Sequence, residues 1–402
     1  MIEDVLKLNW DKIKTIKKEL KDSLCLMPWL HLHVDTGGKV KACCNTSITY
    51  GSVRNQTVKE IWNGEKINTF RARLLQGEKD KRCAICYNKE AAGKSSIRTE
   101  TLEKYKSIIP SVLKNEKKLK PIYLDIRFSN ICNLKCRTCW HGASSSWFED
   151  AKVLKTNFGN KAIIKATTNN QSLIEDIISY SETIEEVYFA GGEPLLMEEH
   201  YALLDELLEK KATNTLIRYN TNLSQLKLKN NSALAYWKQF EFVHLSVSID
   251  EVEEQVELIR KGLKWKTFID NLVIVKKECP HVKIEIAPTV SVFNVFTLAK
   301  VHQYFYNNKY IASVNDIYLN LLERPNYYNI QILPEDKKGI VKTILQNHVI
   351  WLKEHNGSEE LIKEYNSIIK YLYLLNDEKG YSQYQKEVKK LNLLRNELLE
   401  IE

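Results

Sequence analysis

The sequence predicts an α/β fold built around a parallel barrel, and two observations carry that expectation. Residues 121–325 alternate strand-like and helix-like stretches, with strands expected near 122–128, 185–190, 215–220, 242–249, 282–290 and 315–321. Such alternation marks parallel strands joined by crossover helices. The strands are also polar on one side. Tyr123, Asp125 and Arg127 alternate with Leu124, Ile126 and Phe128, and His244, Ser246, Ser248 and Asp250 alternate with Val243, Leu245, Val247 and Ile249. Arg218 with Asn220, Lys283 with Glu285, and Tyr318 with Asn320 extend the polar set. Parallel strands covered on both faces read as unbroken apolar runs, and a sealed core does not tolerate so many unpaired polar groups. The polar set is therefore expected to face an open lumen, with Asp125, Arg127, Arg218 and Glu285 as candidate substrate contacts. An internal ion-pair network, such as Asp125–Arg127 or Lys283–Glu285, is the competing use of these residues.

Directly after the first strand comes Cys132-Asn-Leu-Lys-Cys136-Arg-Thr-Cys139. Three thiolates can hold three irons of a [4Fe-4S] cube and leave the fourth iron open to a ligand. A structural zinc site is the alternative, but four-ligand zinc sites usually pair two short knuckles. Gly191-Gly192-Glu193-Pro194 follows the second expected strand, 52 residues after Cys139. Two glycines allow close backbone approach to a ligand, and Glu193 can accept a charge-assisted hydrogen bond from an ammonium. In a parallel barrel, the ends of the strands that carry these two segments form the active-site face.

A second cysteine group lies in the N-terminal third. Cys25 opens a Cys-Leu-Met-Pro-Trp segment; His31–Val34, a Gly37-Gly38 turn and Lys39–Ala42 read as a hairpin delivering Cys43-Cys44. A helix-like stretch near 58–75 leads to Cys83-Ala-Ile-Cys86. Neighbours in a strand point to opposite faces, so Cys43 and Cys44 compete for one ligand position.

The chain is identified by these motifs as resembling the radical S-adenosylmethionine (SAM) superfamily, over roughly residues 20–325. The resemblance implies a partial (β/α)6 barrel whose cluster is held by Cys132, Cys136 and Cys139 and binds SAM at its open iron. It implies that Gly191, Gly192, Glu193 and Pro194 hold the SAM amino group. Ser248-Ile-Asp250 resembles the strand end whose serine meets the ribose, with Glu251 in place of the usual glycine. Arg260 resembles the arginine that meets the SAM carboxylate, and 289–294, ending at Asn294, the segment that borders adenine. Asn220-Thr221-Asn222 resembles a Thr-Asn-Gly strand end in which Leu223 replaces glycine. Trp140 is expected to shield the cluster, face adenine, or simply pack.

The N-terminal group resembles the auxiliary-cluster modules called SPASM and twitch domains. Five cysteines there, rather than about seven, imply one auxiliary [4Fe-4S] cluster, with Cys25, Cys43, Cys83 and Cys86 as ligands. Zinc is the alternative. Such modules usually follow the barrel; here it precedes it. The expected domains are 1–105 (auxiliary cluster), 118–325 (barrel) and 326–402, a helical region where Leu391, Leu394 and Leu398 mark an apolar stripe.

The family's chemistry is reductive cleavage of SAM to a 5′-deoxyadenosyl radical that abstracts hydrogen from a substrate C–H bond. An electron donor such as flavodoxin or ferredoxin is implied. Auxiliary modules accompany peptide or protein modification, which is the first expectation for the substrate. A small polar metabolite, sugar or nucleotide, is the second. A non-catalytic iron–sulfur regulatory protein is the third, and the intact SAM cradle argues against it. Cys279, just before the fifth strand, is expected to be structural, which leaves only Cys44, itself a competing cluster ligand, as a hydrogen-donating thiol and makes epimerisation a lesser expectation than oxidation or bond formation.

Composition agrees. The chain of 402 residues contains no apolar run approaching the roughly 20 residues of a membrane span. With eight of nine cysteines in two metal-suited groups, a reducing cytoplasm is expected. Residues 1–120 carry 25 Lys+Arg against 14 Asp+Glu, a balance of +11 within a whole-chain +8, so residues 121–402 carry −3. No basic run is interleaved with aromatics for base stacking. Lys12, Lys14, Lys17 and Lys18 read as one solvated helix face, and nucleic acid is not an expected partner.

Overall fold

A computed structural model of the chain describes residues 18–91, 93, 95–114, 119–375 and 377–399. Lys12, Lys14 and Lys17 lie outside the described residues; Lys18 opens a short helix, Lys18–Ser23. The chain packs as two compact units, one of residues 1–126 with 166–185, the other of residues 127–165 with 186–402. The divisions at 105, 118 and 325 are proposed as boundaries of the sequence motifs, and they differ from the boundaries of these compact units.

In the first unit the expected hairpin is present. β1 (His31–Val34) pairs antiparallel with β2 (Lys39–Lys41), and β2 with β3 (Thr49–Ser52). β1 also pairs in parallel with β4 (Tyr123–Ile126), the first expected barrel strand. Leu32, Val34, Val40, Leu124 and Ile126 are buried and form the apolar side of this small sheet. The helical stretch after the hairpin is broken in two, Val58–Trp62 and Glu65–Leu75. Thr57 and Glu60 cap the first piece reciprocally. Asn63 and Gly64 interrupt it, Gly64 adopting the extended conformation of an N-cap. Helix Asn170–Ile178 belongs to the same unit: Asp176 accepts from the Val58 backbone N–H at 2.9 Å.

The second unit holds parallel strands β5 (Glu186–Phe189) and β6 (Leu216–Thr221), a two-residue hairpin of β7 (Lys227–Leu228) and β8 (Asn231–Ser232), then β9 (Val243–Val247) and β10 (Lys283–Ile286). The order is β10-β9-β6-β5. Each parallel neighbour follows a crossover containing a helix, the usual connection for such pairing. The sixth expected strand is reduced to β12 (Asn320–Leu321), paired with β11 (Thr289–Val290), and an Ile286–Ile317 bridge. The expected alternation is realised in part: Ile217, Tyr219, Leu245, Val247, Ile284 and Ile286 are buried and Arg218, Asn220, His244, Ser248 and Glu285 are half-buried. Ser246, Asp250 and Asp125 of the polar set are buried rather than open, because each is paired inside the protein, with Glu285, Arg260 and His33 respectively.

Residues beyond 326 form helices Glu335–Glu354, Glu359–Leu372 and Glu378–Arg395, as expected. The predicted leucine stripe is only partly a packing face. Leu391 is buried, but Leu398 lies past the helix end and is 89% exposed. Among the described residues no helix is long and apolar enough to cross a membrane.

A buried histidine pair ties the helices together. His302 Nδ1 lies 2.9 Å from His348 Nε2 and 3.1 Å from the Tyr365 hydroxyl. Burial pushes His302 down to about 4 and, with His302 beside it, His348 down to about 3. Both are neutral when folded but protonate in the unfolded chain below about 6.5. A lowered folded value means stability that is complete above that unfolded value and is lost as pH falls toward the folded one. The loss is about 1.4 kcal/mol per pH unit per histidine. Urea unfolding at pH 7, 6 and 5 is expected to show falling stability, with a shallower fall in His348→Gln. Equal slopes for both proteins would remove His348 from this account.

Candidate SAM and cluster sites

The cysteine loop, residues 129–147, is held by its own polar side chains. Asn130 Nδ2 donates to the His141 carbonyl at 2.8 Å and the Ala162 carbonyl at 3.0 Å. Ser144 Oγ donates to Leu134 O at 2.5 Å, Ser146 Oγ to Cys132 O at 2.7 Å, and Trp147 Nε1 to Cys136 O at 2.8 Å. Backbone bonds from Lys135 and Arg137 to Lys261 O and Ile259 O fasten the loop to the segment carrying Arg260. The three thiols are brought together in this frame. Burial, with Cys136 and Cys139 nearby, pushes the Cys132 thiol well up; burial, with Cys136 beside it, pushes Cys139 up to about 12. Burial raises Cys136 as well. Clustered, desolvated thiols resist ionisation on their own, so a bound cation must drive their deprotonation. This donor set suits an iron–sulfur cluster.

The Gly-Gly-Glu-Pro turn is sewn to the same loop. Gly192 N–H donates to Ala143 O at 3.1 Å and Glu193 N–H to Ile131 O at 2.7 Å. Gly191 and Gly192 have φ of +77° and +60°, and a Cβ on Gly192 would sit 2.3 Å from Ile131 O. Glycine is thus required here by the cysteine loop itself. Gly192→Ala is expected to weaken SAM binding about tenfold or more, because strain of 1–3 kcal/mol enters the turn. Equilibrium dialysis checks this, and unchanged affinity would show that the turn tolerates a Cβ.

Glu193 is buried, and its carboxylate accepts from Asn222 N–H at 2.6 Å, Thr221 Oγ1 at 2.7 Å and Leu195 N–H at 3.2 Å. Burial nevertheless pushes it up to about 7. It therefore braces the end of β6 against the turn. Asn222 Nδ2 reaches 3.9 Å from Cys132 Sγ and 3.0 Å from Asn133 Oδ1. Leu223, standing where the family pattern has glycine, keeps a left-handed φ of +50°. A leucine holds this left-handed conformation at a steric cost.

Asp250 and Arg260 form a buried pair, Nε to Oδ2 at 2.8 Å and Nη2 to Oδ1 at 2.9 Å. Arg260 Nη1 faces Cys136 Sγ at 3.9 Å. Burial opposes the Arg260 charge, but Asp250 outweighs it and holds the guanidinium above its usual value. Asn294 Nδ2 donates to Asp250 O at 3.1 Å. Ser248 is half-buried and Asn220 lies one residue before Thr221 on β6. Trp140 is 53% exposed and edge-on to Phe158. With Arg137, Cys139, Trp147, Tyr327 and Tyr328 it lines a 470 Å³ cavity beside the loop.

Of the expected substrate contacts in the second unit, Arg218 pairs with Glu186 at 3.0 Å, and Glu285 with His244 at 3.3 Å and with Ser246. Arg127 packs its stem where a Gly191 Cβ would point. Asp125 lies in the first unit, 2.8 Å from His33. Cys279 is buried, its thiol 3.7 Å from Leu234 O.

In the first unit, Cys25, Cys43, Cys83 and Cys86 line one cavity. Burial raises all four thiols, Cys25 to about 12 and Cys83 to about 11. Cys44 is exposed, with its thiol 3.6 Å from Asn45 Oδ1. Arg98, which donates to Leu24 O at 2.8 Å and to Glu90, closes the cavity.

Sequence reasoning missed Arg137 and the C-terminal residues that hold it. Arg137, which falls between Cys136 and Cys139 in the sequence, is fully buried, its Nη2 2.7 Å from Asn392 Oδ1 and 2.5 Å from Glu397 Oε2. Arg395 lies 2.7 Å from Asp150 and 4.5 Å above the Trp147 ring. An arginine inside the cysteine spacing is the only signal the sequence offers for this clamp.

Two family models match this architecture. The radical SAM superfamily model covers residues 126–288 and SPASM, an iron-sulfur cluster-binding domain, covers residues 25–87. Residues 126–288 thus carry a radical SAM domain, preceded in the chain by a SPASM-type cluster-binding domain, and the cofactors these domains imply are [4Fe-4S] clusters and SAM. A curated relative, the S-adenosylmethionine-dependent nucleotide dehydratase of Lacinutrix mariniflava, is 23% identical over 263 residues, 62% of this chain and 47% of that protein. The chain therefore spans about half the length of the curated relative it matches. Similar solved structures include anSMEcpe with bound AdoMet, at 20% identity and TM-score 0.41 over 58% of this chain and 60% of that one. Streptococcus suis SuiB bound to precursor peptide SuiA is 15% identical, with TM-score 0.34 over 61% of this chain and 50% of that one.

Proposed function

We propose that this protein is a radical SAM enzyme that abstracts hydrogen from a C–H bond of a peptide or protein. The observation that carries the chemistry is the hydrogen-bonded union of the cysteine loop with the Gly-Gly-Glu-Pro turn. The cluster held by Cys132, Cys136 and Cys139, with SAM, supplies a 5′-deoxyadenosyl radical. The chain's residues bind and orient. Gly191, Gly192, Glu193 and Pro194 present the turn to the SAM amino group, and Glu193 also fixes Thr221 and Asn222. Ser248 and Asn220 offer hydroxyl and amide groups toward the ribose side, and Asn294 secures the segment assigned to adenine. Arg260, held by Asp250, places a permanent positive charge beside Cys136 and the SAM carboxylate. Cys25, Cys43, Cys83 and Cys86 hold the auxiliary cluster, whose presence supports the peptide reading. A flavodoxin or ferredoxin class donor and a reducing cytoplasmic setting accompany this chemistry.

A small polar metabolite, nucleotides included, is the second reading. It is supported by the charged array Glu186, Arg218, His244 and Glu285 on neighbouring strands and by the nucleotide dehydratase relative. The test is anaerobic turnover of reduced, reconstituted protein with SAM and a fractionated cell extract. Protease-sensitive stimulation of 5′-deoxyadenosine by the macromolecular fraction supports a peptide substrate, and stimulation by the small-molecule filtrate supports the second reading. No 5′-deoxyadenosine under any condition would overturn both.

Cys44 and Cys43 can be told apart. Cys44→Ser is expected to keep about eight irons per chain, whereas Cys43→Ser, which removes a cavity-lining thiol, is expected to fall toward four. Iron and sulfide analysis gives the answer, and the reverse pattern would make Cys44 the ligand.

A further inference from the structure

We propose that His31, His33 and Asp125 form a mononuclear zinc site, separate from both cysteine groups. The placement follows from strand geometry. Residues two apart on a strand share a face, so His31 and His33 project together from β1. The parallel register sets His33 opposite Asp125 and His31 opposite Tyr123. Asp125 therefore joins the two imidazoles on that face. One ligand atom from each of the three residues lies within 4.8 Å of the others. The residues are only 2%, 2% and 1% exposed.

The chemistry of the group fits a borderline divalent ion. Two imidazoles and a carboxylate, with no sulfur, are the donors of zinc sites with three protein ligands, which leave one position for water or another small ligand. Ligands at about 2.0–2.1 Å around such an ion stand roughly 3.3 Å apart. His33 Nδ1 and Asp125 Oδ2 are already 2.8 Å apart, so small side-chain rotations complete the set. The outer contact is also of the right kind. His31 Nδ1 lies 3.2 Å from the Tyr123 carbonyl. Donation of an Nδ1–H to that oxygen leaves the Nε2 lone pair for a metal, the usual way a backbone carbonyl orients a ligating histidine. The His31 ring also rests 4.3 Å from the Tyr123 ring, which limits its rotation.

The competing arrangement is a metal-free His33–Asp125 ion pair with His31 packed beside it. The experiment uses the full chain, anaerobically reconstituted with iron and sulfide, given one equivalent of zinc and desalted through a weak chelator. About one zinc per chain is expected to remain, with a zinc-edge X-ray spectrum showing nitrogen and oxygen near 2.0–2.1 Å and no sulfur near 2.3 Å. The His31→Gln/His33→Gln double variant is expected to lose zinc affinity about tenfold or more while keeping its iron content and visible cluster absorbance. Wild-type protein retaining less than about a tenth of an equivalent, or zinc with sulfur neighbours, would overturn the site. So would a folded double variant that holds zinc as tightly as wild type. If the double variant does not fold, the wild-type metal content and spectrum decide the matter alone. None of these readouts depends on SAM cleavage, so the zinc site and the proposed radical activity stand or fall separately.

Discussion

Replacing Cys132, Cys136 and Cys139 together by Ala is expected to abolish 5′-deoxyadenosine formation, a loss of at least about a thousandfold, or roughly 4 kcal/mol of transition-state stabilisation. The same variant is expected to retain about four of eight irons, those of the auxiliary cluster. The loop itself should survive the change. Its shape rests on Ser144, Ser146 and Trp147, which hydrogen-bond backbone carbonyls rather than sulfur. Loss of product can therefore be separated from loss of fold by comparing circular dichroism and urea midpoints. Product assayed by chromatography at equal levels in wild type and variant would sink the assignment of these cysteines.

Glu397→Ala is expected to destabilise the protein by about 3–5 kcal/mol, the usual consequence of breaking a buried ion pair from one side. Arg137 has no exposure, and Glu397 only 3%. Burial pulls the Arg137 guanidinium below its usual value, with Glu397 opposing that fall. Without Glu397 the charge keeps the Asn392 side chain and the Leu258 carbonyl, at 2.7 and 3.1 Å, neither of which is charged. Because Arg137 lies between Cys136 and Cys139, cluster iron should be lost faster as well. The double change Arg137→Met/Glu397→Leu is expected to recover much of the loss, since apolar replacement of a buried pair is often neutral or better. Urea unfolding and the rate of iron release measure both effects. A Glu397→Ala variant with wild-type midpoint and iron retention would show that the pair braces nothing.

What could be read from sequence divides along a physical line. Features encoded by neighbours in the chain were legible: the alternation of β6, β9 and β10, the Gly-Gly hairpin delivering Cys43, the spacing of Cys132, Cys136 and Cys139. Features that depend on residues meeting from afar were not. The polar array pairs Arg218 with Glu186 and His244 with Glu285 across strands, and alternation alone cannot name such partners. Glu193 and Arg260 read as ligand contacts, yet each also has a protein partner, Thr221 and Asn222 for one and Asp250 for the other. Leu398 sat at helical spacing from Leu391 and Leu394, but Asn396 turns left-handed at φ +51° and ends the helix before it. The value of Glu397 was invisible because its partners Arg137 and Lys261 both lie more than a hundred residues earlier in the chain.

The parallel pairing of β1 with β4 limits how this protein can be taken apart. A fragment cut at the motif boundary near residue 105 would keep the hairpin and its four cavity cysteines but strip β1 of the neighbour that His31, Leu32, His33 and Val34 meet residue by residue. The severed edge would offer a row of open backbone donors and acceptors, the template on which chains add to one another and aggregate. The cluster-binding module is therefore not a transplantable cassette at that length. Any graft or excised piece must carry Tyr123–Ile126 along with it, and with them the Asp125 that faces the two histidines.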